Sequence, residues 1–278
     1  MHKDTYGLTV QMEQTEVPYP FPTTTKNMLR LVGTSDDITS AINAFRPSYH
    51  EDFANVQRVA RPYLNGDPTP ENSTALAVAL ATALCHWSAC MRRSPRLHSI
   101  QHISDGLADK QMHTRLAELG RHDLEAFNLD SDNSRILRTS SPVQDVRAFD
   151  IGLIALLNNL AELLFLSCTR ATYPMKALLL ITGLMPAFDS QVTDGLKRAG
   201  KTGFNNPHHL PTNTKYAGDR RICELPFYLG NCWSLHREDF QKGIEKSLRK
   251  ELKAAPGRVF DILLFMQADP SRKLILAV

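Results

Sequence analysis

The chain has 278 residues, 42% of them hydrophobic and 22% charged, and its 32 Lys and Arg against 29 Asp and Glu leave a net charge of +3. That composition belongs to a folded globular chain and excludes wholesale disorder, a fibrous repeat and an acidic solvating tail. The near balance of charge means that any contact with a polyanion has to come from a local patch.

In chain order, residues 1–34 form a polar start followed by VPYPFPTTT, in which Pro18, Pro20 and Pro22 alternate with aromatic residues. Proline at every second position enforces an extended or polyproline-like backbone, so 1–34 reads as an arm laid over a body at 35–278. Ser35, Asp36 or Asp37 offers an N-cap for a helix ending near Arg46-Pro47, and Pro47-Ser48 opens a second with Phe53, Val56, Val59 and Ala60 on one face. Asn65-Gly66-Asp67-Pro68 marks a turn. Pro70-Glu71-Asn72 then starts an Ala-rich helix to about Met91, whose small side chains let neighbouring helices approach and which is expected at the centre of the fold.

Residues 72–91 contain no Asp, Glu, Lys or Arg and have the length of a membrane span. Ser73, Thr74, Thr82, His86 and Ser88 interrupt them, however, and alanine gains little from lipid. Residues 151–168 are more apolar but carry Asn158, Asn159 and Glu162 at their middle, which lipid would leave unsatisfied. Both read as buried helices, and no membrane contact is expected. Five cysteines, an odd number, with no secretory leader pattern point to reduced thiols in a cytoplasm, and Cys85, Cys90 and Cys168, set in apolar runs, read as core residues.

Residues 92–143 are polar, with Arg92, Arg93, Arg96, Arg115, Arg121, Arg135 and Arg138 among Ser, Asp and Asn. One or two short helices are expected between about 105 and 127, with little core. A composition shift at Pro142 marks where the single body would subdivide. Val143 to Arg170 follows as a long buried helix, then short helices near 174–185 and 189–199, a loop, and three more near 222–233, 236–253 and 256–267. Period-two alternation is confined to Lys273–Val278, so the fold class is all-α with at most a short C-terminal strand.

Chemistry concentrates in 172–198. Thr172-Tyr173-Pro174-Met175-Lys176 leads into an apolar helix that breaks at Gly183 to Pro186, after which Pro186-Ala187-Phe188-Asp189-Ser190-Gln191-Val192 opens another. This order resembles the helix-hairpin-helix DNA glycosylase superfamily, in which a G-x-G-x-K hairpin carries a lysine and an aspartate opens the next helix in a pattern like P-V-D-x-H-V. Thr172 and Pro174 stand where that hairpin has glycines. The resemblance implies double- or single-stranded DNA as partner and a base flipped from the stack into a pocket. It also implies Asp189 as the carboxylate that stabilises cationic character at the sugar, and Lys176 as a nucleophile toward C1′.

Read from the residues alone, Asp189 is equally an N-cap and Lys176 a snorkelling side chain on a buried helix. The discriminating observation is whether Asp189 lies at the mouth of a pocket framed by basic groups or faces bulk water. Lys197, Arg198, Lys201, Arg220 and Arg221 belong to a basic C-terminal third and are the candidates for a phosphate-tracking face. The alternative function is a non-catalytic helical module that binds a protein through the arm or the arginine-bearing middle.

Cys223, Cys232 and His236, with His208-His209 upstream, do not have the spacing of a zinc site, and Gly200-Lys201-Thr202-Gly203 lacks the frame of a phosphate loop. No G-x-S-x-G or H-E-x-x-H occurs. No metal and no cofactor is expected.

Overall fold

Residues 28–91, 94–138, 145–204, 209–211 and 217–278 are described by a computed structural model, with 217–220 described by their backbone alone. The proline-rich segment through residue 27 and the proposed subdivision point near 142 lie outside the described residues.

Short strand β1, Arg30–Leu31, is followed by α1, Ser35–Ala44. The cap is Thr34, one residue earlier than expected. Its hydroxyl accepts from the Asp37 N–H at 3.2 Å while the Asp37 carboxylate accepts from the Thr34 N–H at 2.7 Å, a reciprocal capping box. Helices α2, Pro47–Asn65, and α3, Pro70–His86, both begin on a proline, whose missing N–H has no partner to lose in a first turn. Asp109 separates α4, Ile100–Ala108, from α5, Lys110–Gly120, its carboxylate accepting from the N–H groups of Gln111 and Met112 at 2.9 Å.

Next comes an antiparallel hairpin that the periodicity does not announce, β2 (Phe127–Leu129) paired with β3 (Arg135–Leu137). Helix α6 spans Val146–Leu164, α7 Thr172–Thr182, α8 Ser190–Arg198, α9 Ala217–Leu235, α10 Arg237–Lys246 and α11 Pro256–Gln267. The expected terminal strand contracts to β4, Leu276–Ala277, which pairs antiparallel with β1. The architecture is all-α with four short strands among the described residues.

The buried apolar side chains form one continuous cluster. Its axis is not α3, which buries one face and leaves Thr74, Val78 and Thr82 exposed. The central helices are α7, buried from Pro174 to Ile181, and α11, buried from Gly257 to Leu264. The sequence periodicity favours α3 because its run lacks charge; α7 is enclosed instead because α2, α3, α5 and α6 all pack against it. Helix α8 lies on α11 at backbone distance: a Cβ at Gly195 would stand 2.0 Å from the Leu264 carbonyl oxygen.

The cysteines reverse the expectation. Cys85 stands on the exposed face of α3 with Val78 and Thr82, Cys90 is exposed in the turn after that helix, and Cys168 is half-buried after α6, whereas Cys223 and Cys232 on α9 are the buried pair. The polar middle also carries more core than expected, burying Ile103, Leu107, Leu116, Leu124 and Phe127. Arg135 there forms a buried bidentate pair with Asp150 of α6 at 2.8 and 2.9 Å. Among the described residues no helix is long and apolar enough to cross a membrane. In α6, Asn158 donates to the carbonyls of Ile154 at 2.9 Å and Pro211 at 2.8 Å.

Candidate functional site

Lys176 lies in the second turn of α7, and Asp189 immediately precedes α8. The turn between the helices, with Gly183 at φ 68° in the left-handed region, folds the chain back so that the two side chains meet. Lys176 Nζ is 3.7 Å from Asp189 Oδ2 and donates at 2.8 Å to the carbonyl of Trp87. Asp189 divides its oxygens: Oδ1 accepts from the Val192 N–H at 3.1 Å and caps α8, while Oδ2 faces the lysine. The aspartate is therefore both an N-cap and a pocket residue, with its side chain only 20% exposed.

The pocket is a cavity of about 470 Å³ between the α1–α2 junction, the turn after α3, and the start of α7 and α8. Aromatic walls come from Phe45, Tyr49, Trp87 and Tyr173, and the rings of Tyr49 and Trp87 lie 5.3 Å apart at 31°. Arg46 and Arg170, both exposed, stand at its edge with Ser190 and Gln191. Each wall is held from behind. Asp52 accepts from the Trp87 indole N–H at 3.1 Å and lies 2.9 Å from His86 Nδ1, while the Tyr173 hydroxyl donates to Ser94 Oγ at 2.8 Å.

The floor is an ion pair on α11. Arg258 bonds the Asp261 carboxylate, donates to the Tyr49 carbonyl at 3.0 Å, and lies 4.9, 5.3 and 4.7 Å from the ring centroids of Phe45, Phe53 and Trp87. Asp261 Oδ1 accepts from the Ala187 N–H at 2.8 Å, fixing the backbone two residues before Asp189. Burial holds the Arg258 guanidinium below its ordinary pKa and raises the Asp261 carboxyl, while the opposite charge of each partner acts against those shifts.

Of the five cations expected to track phosphates, the four whose side chains are described do not line this cavity. Lys197 is exposed on α8. Arg198 holds the turn after α11 through the carbonyls of Gln267, Asp269, Pro270 and Arg272 at 2.7, 2.6, 3.2 and 2.6 Å. Lys201 is buried with Nζ 3.2 Å from the Tyr228 ring centroid, and burial pushes its amine down to about 7. Arg221 donates to the Gly203 carbonyl, and Arg220 lies on α9 with its side chain outside the described residues. The exposed cations at the pocket are Arg46 and Arg170 instead, beside the buried Lys176 and Arg258.

Sequence reasoning passed over Tyr49, Trp87, Arg258 and Asp261. One signal was available: in PGRVFDILLF an arginine and an aspartate at i and i+3 interrupt an otherwise apolar helix, the pattern of a buried pair. Among the described residues no three His, Cys, Asp or Glu side chains come together as a metal site, and Cys223 and Cys232 are buried in the core. Compared with known protein families, curated proteins and solved structures, the chain matches none.

Proposed function

We propose that the chain binds nucleic acid and cleaves the N-glycosidic bond of a base received in the cavity between α7 and α8. The observation that carries this reading is the Lys176–Asp189 pair, 3.7 Å apart, in an aromatic-walled cavity with Arg46 and Arg170 at its edge. Flat aromatic walls suit a base, and exposed guanidinium groups suit the phosphates that flank it.

The chemistry follows from charge. As the glycosidic bond breaks, its electron pair leaves with the base and positive charge grows at C1′; the Asp189 carboxylate stabilises that charge in a site partly shielded from water. Lys176 Nζ is a nucleophile only after losing a proton, and Asp189 Oδ2 is the nearest carboxylate oxygen to receive it. The amine adds to C1′ as the base departs with the glycosidic electron pair and takes up the proton from Asp189; the C1′–O4′ bond then breaks, a proton passing from the amine nitrogen to O4′, and leaves a protonated imine that borohydride reduces and water otherwise hydrolyses. The turn that presents Asp189 is tied to α11 through Asp261, so the carboxylate is fixed before substrate arrives.

The test is binding of short fluorescent duplex and single-stranded DNA across a salt series, followed by excision assays on damaged bases. Affinity is expected to fall steeply with salt. Asparagine caps a helix as well as aspartate does, so Asp189→Asn isolates the charge from the cap. It is expected to keep binding and stability while turnover falls about 10²-fold or more. Borohydride reduction is expected to trap a covalent adduct in wild type and none in Lys176→Gln. Absence of DNA binding at low salt, or turnover unchanged in Asp189→Asn, overturns the reading.

A further inference from the structure

We propose that Cys85 and Cys90 form a reversible disulfide, a redox modification site for low-molecular-weight disulfides of the glutathione class that resets the wall of the cavity. The inference does not rest on glycosidic chemistry, since it concerns the wall and not what the cavity receives.

Three independent observations carry it. First, the two sulfurs face each other at 2.8 Å, both residues are exposed, and both are free thiols. A covalent bond asks for about 2.05 Å, so closure needs a shift of the sulfurs rather than a rearrangement of the fold. Second, the backbone between them is held in the left-handed region by two residues other than glycine, Ser88 at φ 75° and Cys90 at φ 66°. The Ala89 N–H bonds the Leu84 carbonyl at 2.8 Å and the Cys90 N–H bonds the Pro95 carbonyl at 3.3 Å, so the turn is tied at both ends. Third, the residues enclosed by the thiols belong to the pocket: Trp87 and Ser88 line it, and the Trp87 carbonyl holds Lys176 Nζ at 2.8 Å. The other cysteines lack this arrangement, Cys223 and Cys232 being buried in the core and Cys168 donating to the Arg170 carbonyl.

The exchange balances as two substitutions at sulfur. Burial and the neighbouring thiol push Cys85 up to about 11, and the exchange is written with Cys90 attacking first. The Cys90 thiolate attacks one sulfur of an external disulfide, R–S–S–R, forming a mixed disulfide and releasing one thiol. Cys85 then loses its proton and attacks Cys90 Sγ, releasing the second thiol. Two electrons pass from the protein dithiol to the external disulfide, and a dithiol reductant reverses both steps. Closure draws Cys90 Sγ onto Cys85 of α3, across the turn that presents Trp87 and Ser88 to the cavity.

The test uses the full chain equilibrated in mixtures of reduced and oxidised glutathione. The remaining thiols are alkylated after unfolding and mapped, while tryptophan emission is followed in parallel. In wild type, Cys85 and Cys90 are expected to lose alkylation together with one two-electron midpoint, leaving Cys168, Cys223 and Cys232 alkylated, and emission is expected to change at the same midpoint. Cys85→Ser is expected to trap glutathione on Cys90, and Cys90→Ser to abolish the emission change. Both cysteines still alkylated in oxidising buffer, or each carrying its own glutathione, overturns the disulfide. Closure with constant emission overturns its effect on the wall. The thiol map reads the same whether or not the cavity takes a nucleotide, so failure here is distinct from failure of the glycosidic reading.

Discussion

Two lysines of this chain lose most of their solvent and end in opposite surroundings. Lys176, 9% exposed, keeps a carbonyl, a carboxylate and an open cavity around its amine, and Lys201, 2% exposed, lies against the Tyr228 ring with Glu224 as its charge partner. In sequence both are basic residues beside an apolar helix. What separates them is the turn that follows. The break at Gly183 brings a carboxylate back onto Lys176, whereas Lys201 leaves α8 through a backbone bond to the Leu196 carbonyl at 2.9 Å that points it into the core. Both lysines thus have a carboxylate near them, and what distinguishes Lys176 is that its amine also faces an open cavity.

The largest expected break in this contrast is Arg258→Met. It removes the cation beneath the Lys176 cavity and leaves Asp261 buried without its partner, a loss of about 3–5 kcal/mol measurable by urea unfolding. Next is the pH dependence of Lys201. Its amine is pushed down to about 7 in the folded chain and titrates at roughly 10.4 when unfolded. The unfolded chain therefore holds the extra proton between those values, and stability is expected to rise with pH across that window, by about 5 kcal/mol at most. In Lys201→Met that rise should be absent from unfolding curves taken across the same pH range; a slope unchanged from wild type means the amine is not the group responsible.

His50, packed edge-on against Phe45 under the cavity, sharpens the comparison from the acid side. Burial pushes its imidazole down to about 4, against roughly 6.5 unfolded, so the unfolded chain binds the extra proton in between. Stability is expected to fall as pH drops through that window, by about 3 kcal/mol at most, and His50→Gln should flatten this part of the profile. The smallest effect belongs to Lys197→Ala, an exposed substitution expected to stay within about 0.5 kcal/mol of wild type in the same assay.

Helix punctuation was legible in the chain. Pro47, Pro70 and Pro256 stand at first turns, Asp189 caps α8, and the short apolar end at 273–278 contains β4. That Lys176 and Asp189 share a site was implied only by the resemblance; the order helix, break, cap by itself gave Asp189 as a cap and Lys176 as a side chain on a buried helix. The pocket itself was not legible, because Tyr49, Trp87 and Arg258 come from three separate helical segments, and only tertiary packing brings them to one place. Nor was the fate of the basic residues: Arg198, Lys201 and Arg221 look like surface charge by composition, yet bond carbonyls or a ring inside the fold. The hairpin at 127–137 escaped because three-residue strands are too short for alternation to register.

The last residues of the described chain clasp the helix that carries Asp189. Gln267 donates to the Gly195 carbonyl of α8 at 2.9 Å and accepts from the N–H groups of Ile275 at 3.2 Å and Leu276 at 2.9 Å, and the Val278 N–H bonds the Ala199 carbonyl at 2.9 Å. Leu276 in turn pairs with Leu31 at the opposite end. Joining residue 31 to residue 276 closes nearly the whole described body into one loop, a long-range closure that is rewarded late. On the ribosome, α7 and its lysine are made first, and the clasp around α8 closes only once residues 275–278 have emerged. The clasp around α8 thereby closes after α11, on which α8 lies, has been made.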